Sequence, residues 1–129
     1  MGNVENRISE MKDGFIRGDT NSITMRLDNS GVEAKDVTNA YFTLRQGSDK
    51  VIYEYGVEGS GVTIDNDHNL ITKIFSQEDT LALKAGIRVY MEFSVLDKHG
   101  NRKTGFCGTM QVYDTEYDQV LEPVRSIDE

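Results

Sequence analysis

The chain has 129 residues, with 14 bases against 22 acids and a formal net charge of −8, a size that fits one domain. Its charge and its scattered bases exclude nucleic acid and anionic membrane as expected partners, since both need clustered Lys and Arg. The single cysteine, Cys107, excludes an internal disulfide, and no apolar run is long enough to span a bilayer.

Taken in order, residues 1–14 are a lead-in. Val4, Ile8 and Met11 recur at helical spacing ahead of Asp13 and Gly14, which fits either a short amphipathic helix or a frayed end. In FIRGDT, Gly18 predicts a bend between a short first strand and the next one. The second strand shows in Ile23, Met25 and Leu27, which alternate with Thr24 and Arg26; DNSGVEA is a loop. Ala40, Phe42 and Leu44 share one face of the third strand. VIYEYGV then reads as an edge strand, with Glu54 discouraging open pairing. Val62 and Ile64 mark a short strand, DNDHN a turn, and LITKIF the strand beyond it. Turns at intervals of about ten residues predict a sandwich or barrel.

The best-patterned stretch runs from Ser76 to Tyr113. Ser76 and Asp79 have the spacing of a capping box, so one helical turn is expected, with Gly86 stopping it in a left-handed conformation. The period then switches to two. Ile87, Val89, Met91, Phe93 and Val95 are expected on one face, with Val89 and Phe93 facing Phe42 and Leu44 across the sandwich; Arg88, Tyr90, Glu92 and Ser94 are expected on the other. After the DKHGN loop, Thr104, Phe106, Gly108, Met110 and Val112 form the next alternating set, which leaves Cys107 on the second face. Such strands must bury their apolar face under another sheet.

Residues 114–129 form an acidic tail with the only proline, Pro123. Val120, Leu121, Val124 and Ile127 make an apolar stripe that Pro123 interrupts. The tail is either a loose end or a docking segment that orders on a partner, and those four residues are its candidate partner-docking positions.

Three segments resemble a known family. Gly18, Asp19 and Thr20 precede a strand; Asp36, Thr38, Asn39, Ala40, Phe42 and Leu44 lead through the next; Ser76, Asp79, Thr80, Leu83 and Gly86 precede the two longest. Over residues 15–113 the pattern resembles the immunoglobulin-like sandwich of phage baseplate upper proteins and of small tail proteins of phages and prophages of Gram-positive bacteria. Arg88 stands where many such domains place a tyrosine after the glycine, with Tyr90 two residues on. The resemblance implies a virion protein, made in the host cytoplasm without a signal peptide, that contacts other tail or baseplate proteins and forms homo-oligomers.

No motif carries chemistry. Arg17-Gly18-Asp19 spells an integrin-type tripeptide, but these residues already serve the approach to a strand. Asp65, Asp67 and Asn69 have the alternate spacing of a calcium loop, yet Leu70 stands where that loop needs Gly and Ser76 where it needs Glu. His68 and His99 lie in predicted hairpin loops without ligand-spaced partners. Glu54, Glu58, Asp65 and Asp67 read as a solvated acidic face. Cys107 has no evident general base, and the six Tyr, with no Trp, signal no flat sugar platform.

The sequence therefore predicts an all-β immunoglobulin-like sandwich of about seven to eight antiparallel strands, with one helical turn before the two longest. The expected function is non-enzymatic: a structural or interaction protein of a phage tail or baseplate, with no catalytic residues, cofactor or metal. A carbohydrate- or adhesion-binding module of a bacterial surface is the alternative.

Overall fold

The computed structural model describes residues 14–122. The lead-in positions Val4, Ile8 and Met11, and the tail positions Val124 and Ile127, lie outside the described residues. Eight strands run in order: β1 (Gly14–Ile16), β2 (Asn21–Arg26), β3 (Val37–Gln46), β4 (Asp49–Glu54), β5 (Val62–Asp65), β6 (Leu70–Phe75), β7 (Val89–Asp97) and β8 (Arg102–Tyr113). A short 3-10 turn (Ala34–Asp36) precedes β3, and one short helix, α1 (Gln77–Leu81), follows β6.

The strands form a five-stranded sheet ordered β1-β8-β7-β3-β4 and a three-stranded sheet ordered β2-β6-β5. The all-β sandwich is thus present, and its strand order is that of an immunoglobulin sandwich with one strand added at the β4 edge. Every pairing is antiparallel except β1 on β8, where Gly14 to Ile16 run parallel to Gln111 to Tyr113.

The core is built by inward-facing residues of period two. Ala40, Phe42 and Leu44 of β3 meet Val89, Met91, Phe93 and Val95 of β7, all of them buried. Phe42 and Phe93 were expected on opposite sheets, but β3 and β7 are neighbours, and these two are direct cross-strand partners. The residue that spans the sandwich is Phe75 of β6, whose ring meets Phe42 at 5.5 Å and Phe15 at 4.9 Å, both edge-on. Ile87, expected on the face of Val89 and Phe93, precedes β7 and is exposed.

Strand β8 departs most from the expected alternation. Met91 pairs with Gly108 but Glu92 pairs with Phe106, so Cys107 is an extra residue in β8. Gly108 takes φ +103°, which a bulge of this kind needs and a side chain resists. The bulge flips the phase. Met110 and Val112 point inward as expected, whereas Phe106 points outward and Cys107 is half-buried against the core. Burial pushes the Cys107 thiol up to about 11, so it is inert at neutral pH.

Candidate functional site

The helix region forms as the sequence implies. Ser76 accepts from Asp79 N at 3.1 Å, and the Asp79 carboxylate accepts from Ser76 N at 3.0 Å, a complete capping box. Two of the three family-like segments meet here: Gly18 N donates to Thr80 Oγ1 at 2.9 Å, and that hydroxyl donates to Asp19 O at 2.8 Å. Arg17 donates at 2.9 Å to Leu81 O, a carbonyl that the end of α1 leaves open, and at 2.9 Å to Leu83 O just beyond it. Its third contact is Asp114 at 2.7 Å, which holds that carboxyl below its usual range. The tripeptide 17–19 is thereby committed to the fold.

The approach to β7 lacks a tyrosine corner. Tyr90 faces outward and its hydroxyl donates to Glu92 at 2.8 Å. The buried amide of Gln46 takes over at the β6–β7 crossing. It donates to Lys84 O and Ile87 O at 2.9 and 2.8 Å and accepts from Lys84 N at 2.9 Å.

The turn after β5 uses the residues of the failed calcium loop. Asp65 accepts from Asp67 N, His68 N and the His68 ring, and the ring contact lowers its pKa first of all. Asn69, at φ +58°, ties this turn to Ala34 N and Asp28. Among the described residues, no group of three His, Cys, Asp or Glu is placed to hold a metal, and no helix is long and apolar enough to cross a membrane.

One polar cluster escaped the sequence reading. Lys73 stands between Ile71 and Phe75 on the inward phase of β6 and is fully buried. Its ammonium donates to Ser60 O at 2.6 Å and Asp79 at 2.9 Å, and it sits 3.6 Å from the centre of the Tyr53 ring. Burial lowers the Lys73 pKa, with Asp79 opposing. Burial, and then Asp79, push the Tyr53 hydroxyl up to about 12. With its donors occupied and its carboxylate partner capping a helix, this cluster fastens β6, β4 and α1 together.

Of the four predicted docking residues, two lie within the described residues. Val120 is half-buried and Leu121 is exposed, while Val124 and Ile127 are outside the described residues. Residue 121 is nevertheless held: Gln77 of α1 donates to its carbonyl at 2.9 Å and accepts from its amide at 2.6 Å. The start of the tail is therefore tied to the domain.

The exposed feature that stands out is the outer face of the five-stranded sheet. Tyr90 and Phe106 stack there, centroids 4.9 Å apart and planes at 28°. Arg45 lies over the Tyr90 ring, 4.9 Å from its centre. Tyr90 and Arg45, with Tyr41, Thr43, Ile52, Lys50 and Arg102, line a concavity on this face with a volume of about 730 Å³. Ile52 is 54 % exposed and Phe106 is 61 % exposed. These open apolar side chains stand beside charged ones on the same face. The outward positions Tyr41, Thr43 and Arg45 of β3 follow from the inward phase of Ala40, Phe42 and Leu44. The outward position of Phe106 was not legible in the sequence, because the bulge at Cys107 reverses its face.

The chain matches no protein-family model and no curated protein. Fold and geometry define it as an all-β sandwich with one aromatic and basic sheet face turned to solvent.

Proposed function

We propose that this protein is a non-enzymatic interaction domain that acts through the outer face of its larger sheet, as a structural component of a phage tail or baseplate. The observation that carries the contact role is the Arg45–Tyr90–Phe106 stack, which crosses three strands on a face that no part of the described chain covers. Aromatic and Arg side chains are the types that dominate protein contacts. The phage assignment rests on the sequence resemblance at Gly18–Thr20, Asp36–Leu44 and Ser76–Gly86. An antibody to the chain should label purified tail particles from a lysate of the bacterium that encodes it. Particles free of the chain would sink the assignment.

A second reading is favoured by one feature: Phe106, 61 % exposed and cross-strand partner of Glu92, presents an open aromatic ring beside a carboxylate, a geometry that suits a sugar ring. Titration with cell-wall saccharides, followed by tyrosine fluorescence, tests it. Saturable binding lost in Phe106→Ser would favour this module over the tail component.

A further inference from the structure

The outer face is basic in a strongly acidic chain. Its concavity carries three bases, Arg45, Lys50 and Arg102, against one acid, Glu92, a local balance of +2, whereas the chain as a whole is at −8. Two such faces repel, so a symmetric face-to-face pair is disfavoured. The complementary surface is present elsewhere on the same molecule. Residues 116–122 (EYDQVLE) contain three acids and no base. Within them Tyr117 is 56 % exposed and Leu121 is 63 % exposed. The segment thus offers acids alternating with apolar side chains, and the face offers bases around an aromatic stack.

The segment does not lie on the concavity of its own chain. Leu121 is pinned by Gln77 to α1, which follows β6 of the other sheet, while the concavity opens on the outer side of β7, β3 and β4. We infer that the occupant of the outer face is the acidic segment 116–122 of a second copy of this chain, seated with its acids on Arg45, Lys50 and Arg102 and its apolar side chains on the Tyr90–Phe106 stack. The contact is head-to-tail. Repeated, it closes into a ring or runs on as a filament. The inference rests on reading the outer face as a contact surface, and it names what that surface holds.

A charge swap on the full chain tests it. One variant carries Arg45→Glu and Arg102→Glu on the face; the other carries Glu116→Lys and Asp118→Lys in the segment. All four positions are exposed or at the sheet surface, so thermal melts confirm folding before association is measured by sedimentation velocity. The parent should self-associate, with an apparent Kd that rises at least about tenfold as salt screens the contact. Each variant alone should sediment as a monomer. Their equimolar mixture should associate again, because each then meets an opposite charge. A parent that is monomeric at every concentration overturns the proposal. So does a segment variant that keeps the parent's association, which would point to a face-to-face pair, or a folded mixture that stays monomeric. If the swap fails while the chain is still found in tail particles, only the self-docking is lost. If the swap succeeds and particles lack the chain, only the phage assignment is lost.

Discussion

Lys73 and Asp79 form an ion pair of 2.9 Å in which the two partners are unequally placed: the lysine side chain is 0 % exposed and the aspartate 16 %. The asymmetry predicts an asymmetric response to mutation. Asp79→Ala strands a charged ammonium in the core and removes half of the capping box, and should cost about 3–5 kcal/mol. Lys73→Met leaves the aspartate with Ser76 N as a partner near solvent and should change stability by less than about 1.5 kcal/mol. Urea denaturation of both variants decides it; equal losses would mean that the pair acts symmetrically.

The same cluster gives stability an alkaline limit. Tyr53 has its pKa raised from 10.0 to about 12, by burial first and by Asp79 second. The folded state therefore holds that proton more tightly than the unfolded chain. The stability due to it is whole below pH 10 and is lost as pH rises through about 12. Lys73, lowered from 10.5 by burial, acts in the opposite sense: the unfolded chain binds its proton better, so stability rises with pH up to that value. Melting temperatures of the parent and of Tyr53→Phe, followed from pH 9 to 12, should converge only at the alkaline end. Parallel curves would remove Tyr53 from the account.

Phe42 and Phe93 are direct cross-strand partners with ring centroids 4.8 Å apart at 66°. Phe93→Ala should cost about 3–5 kcal/mol, as large aromatic truncations in a closed core do. A double-mutant cycle with Phe42→Ala should return a coupling of about 0.5–1.5 kcal/mol, the range for an edge-on pair. Zero coupling would mean that the two rings are held by the sheet rather than by each other.

These residues also mark what the sequence could reveal. Alternation made the inward faces of β3 and β7 legible, because Ala40 to Leu44 and Val89 to Val95 keep strict period two. It did not say which strands were neighbours, since period two fixes a face and not a partner. In β6 the signal was double: Leu70 and Ile74 compete with Ile71 and Phe75, and only the packed sheet selects the phase that buries Lys73. In β8 a single extra residue reversed the reading from Phe106 back to Arg102, which hid the outer face. The helix cap was legible because Ser76 and Asp79 are close in sequence. The Gln46 corner was not, because its partners are 38 and 41 residues away.

The bulge can be tested where it is most constrained. Gly108 holds φ +103°, outside the range that side chains favour, although nothing lies within 4 Å of a Cβ placed there. The penalty of Gly108→Ala is therefore backbone strain and not a clash, and should be about 1–3 kcal/mol. Thermal melts of this variant should show that loss with the fold intact. An unchanged melt would mean that β8 adapts without strain.

Gln46 gives the last prediction, because its one side chain binds both Lys84 and Ile87 at the β6–β7 crossing. Its amide uses both ends: Nε2 donates to two carbonyls and Oε1 accepts from Lys84 N. Gln46→Glu keeps size and acceptor but removes the donors, and sets a carboxylate facing the carbonyls of Lys84 and Ile87. Gln46→Leu removes both functions and leaves these backbone groups without their partner. Each unsatisfied buried group costs about 1–3 kcal/mol, so Gln46→Leu should lose several kcal/mol. Gln46→Glu should recover at acid pH, where the protonated acid again offers a donor as well as an acceptor. Denaturant midpoints of the three proteins at pH 4 and pH 7 separate the outcomes. If both variants match the parent at pH 7, the crossing is held by the strands on either side and the glutamine is incidental.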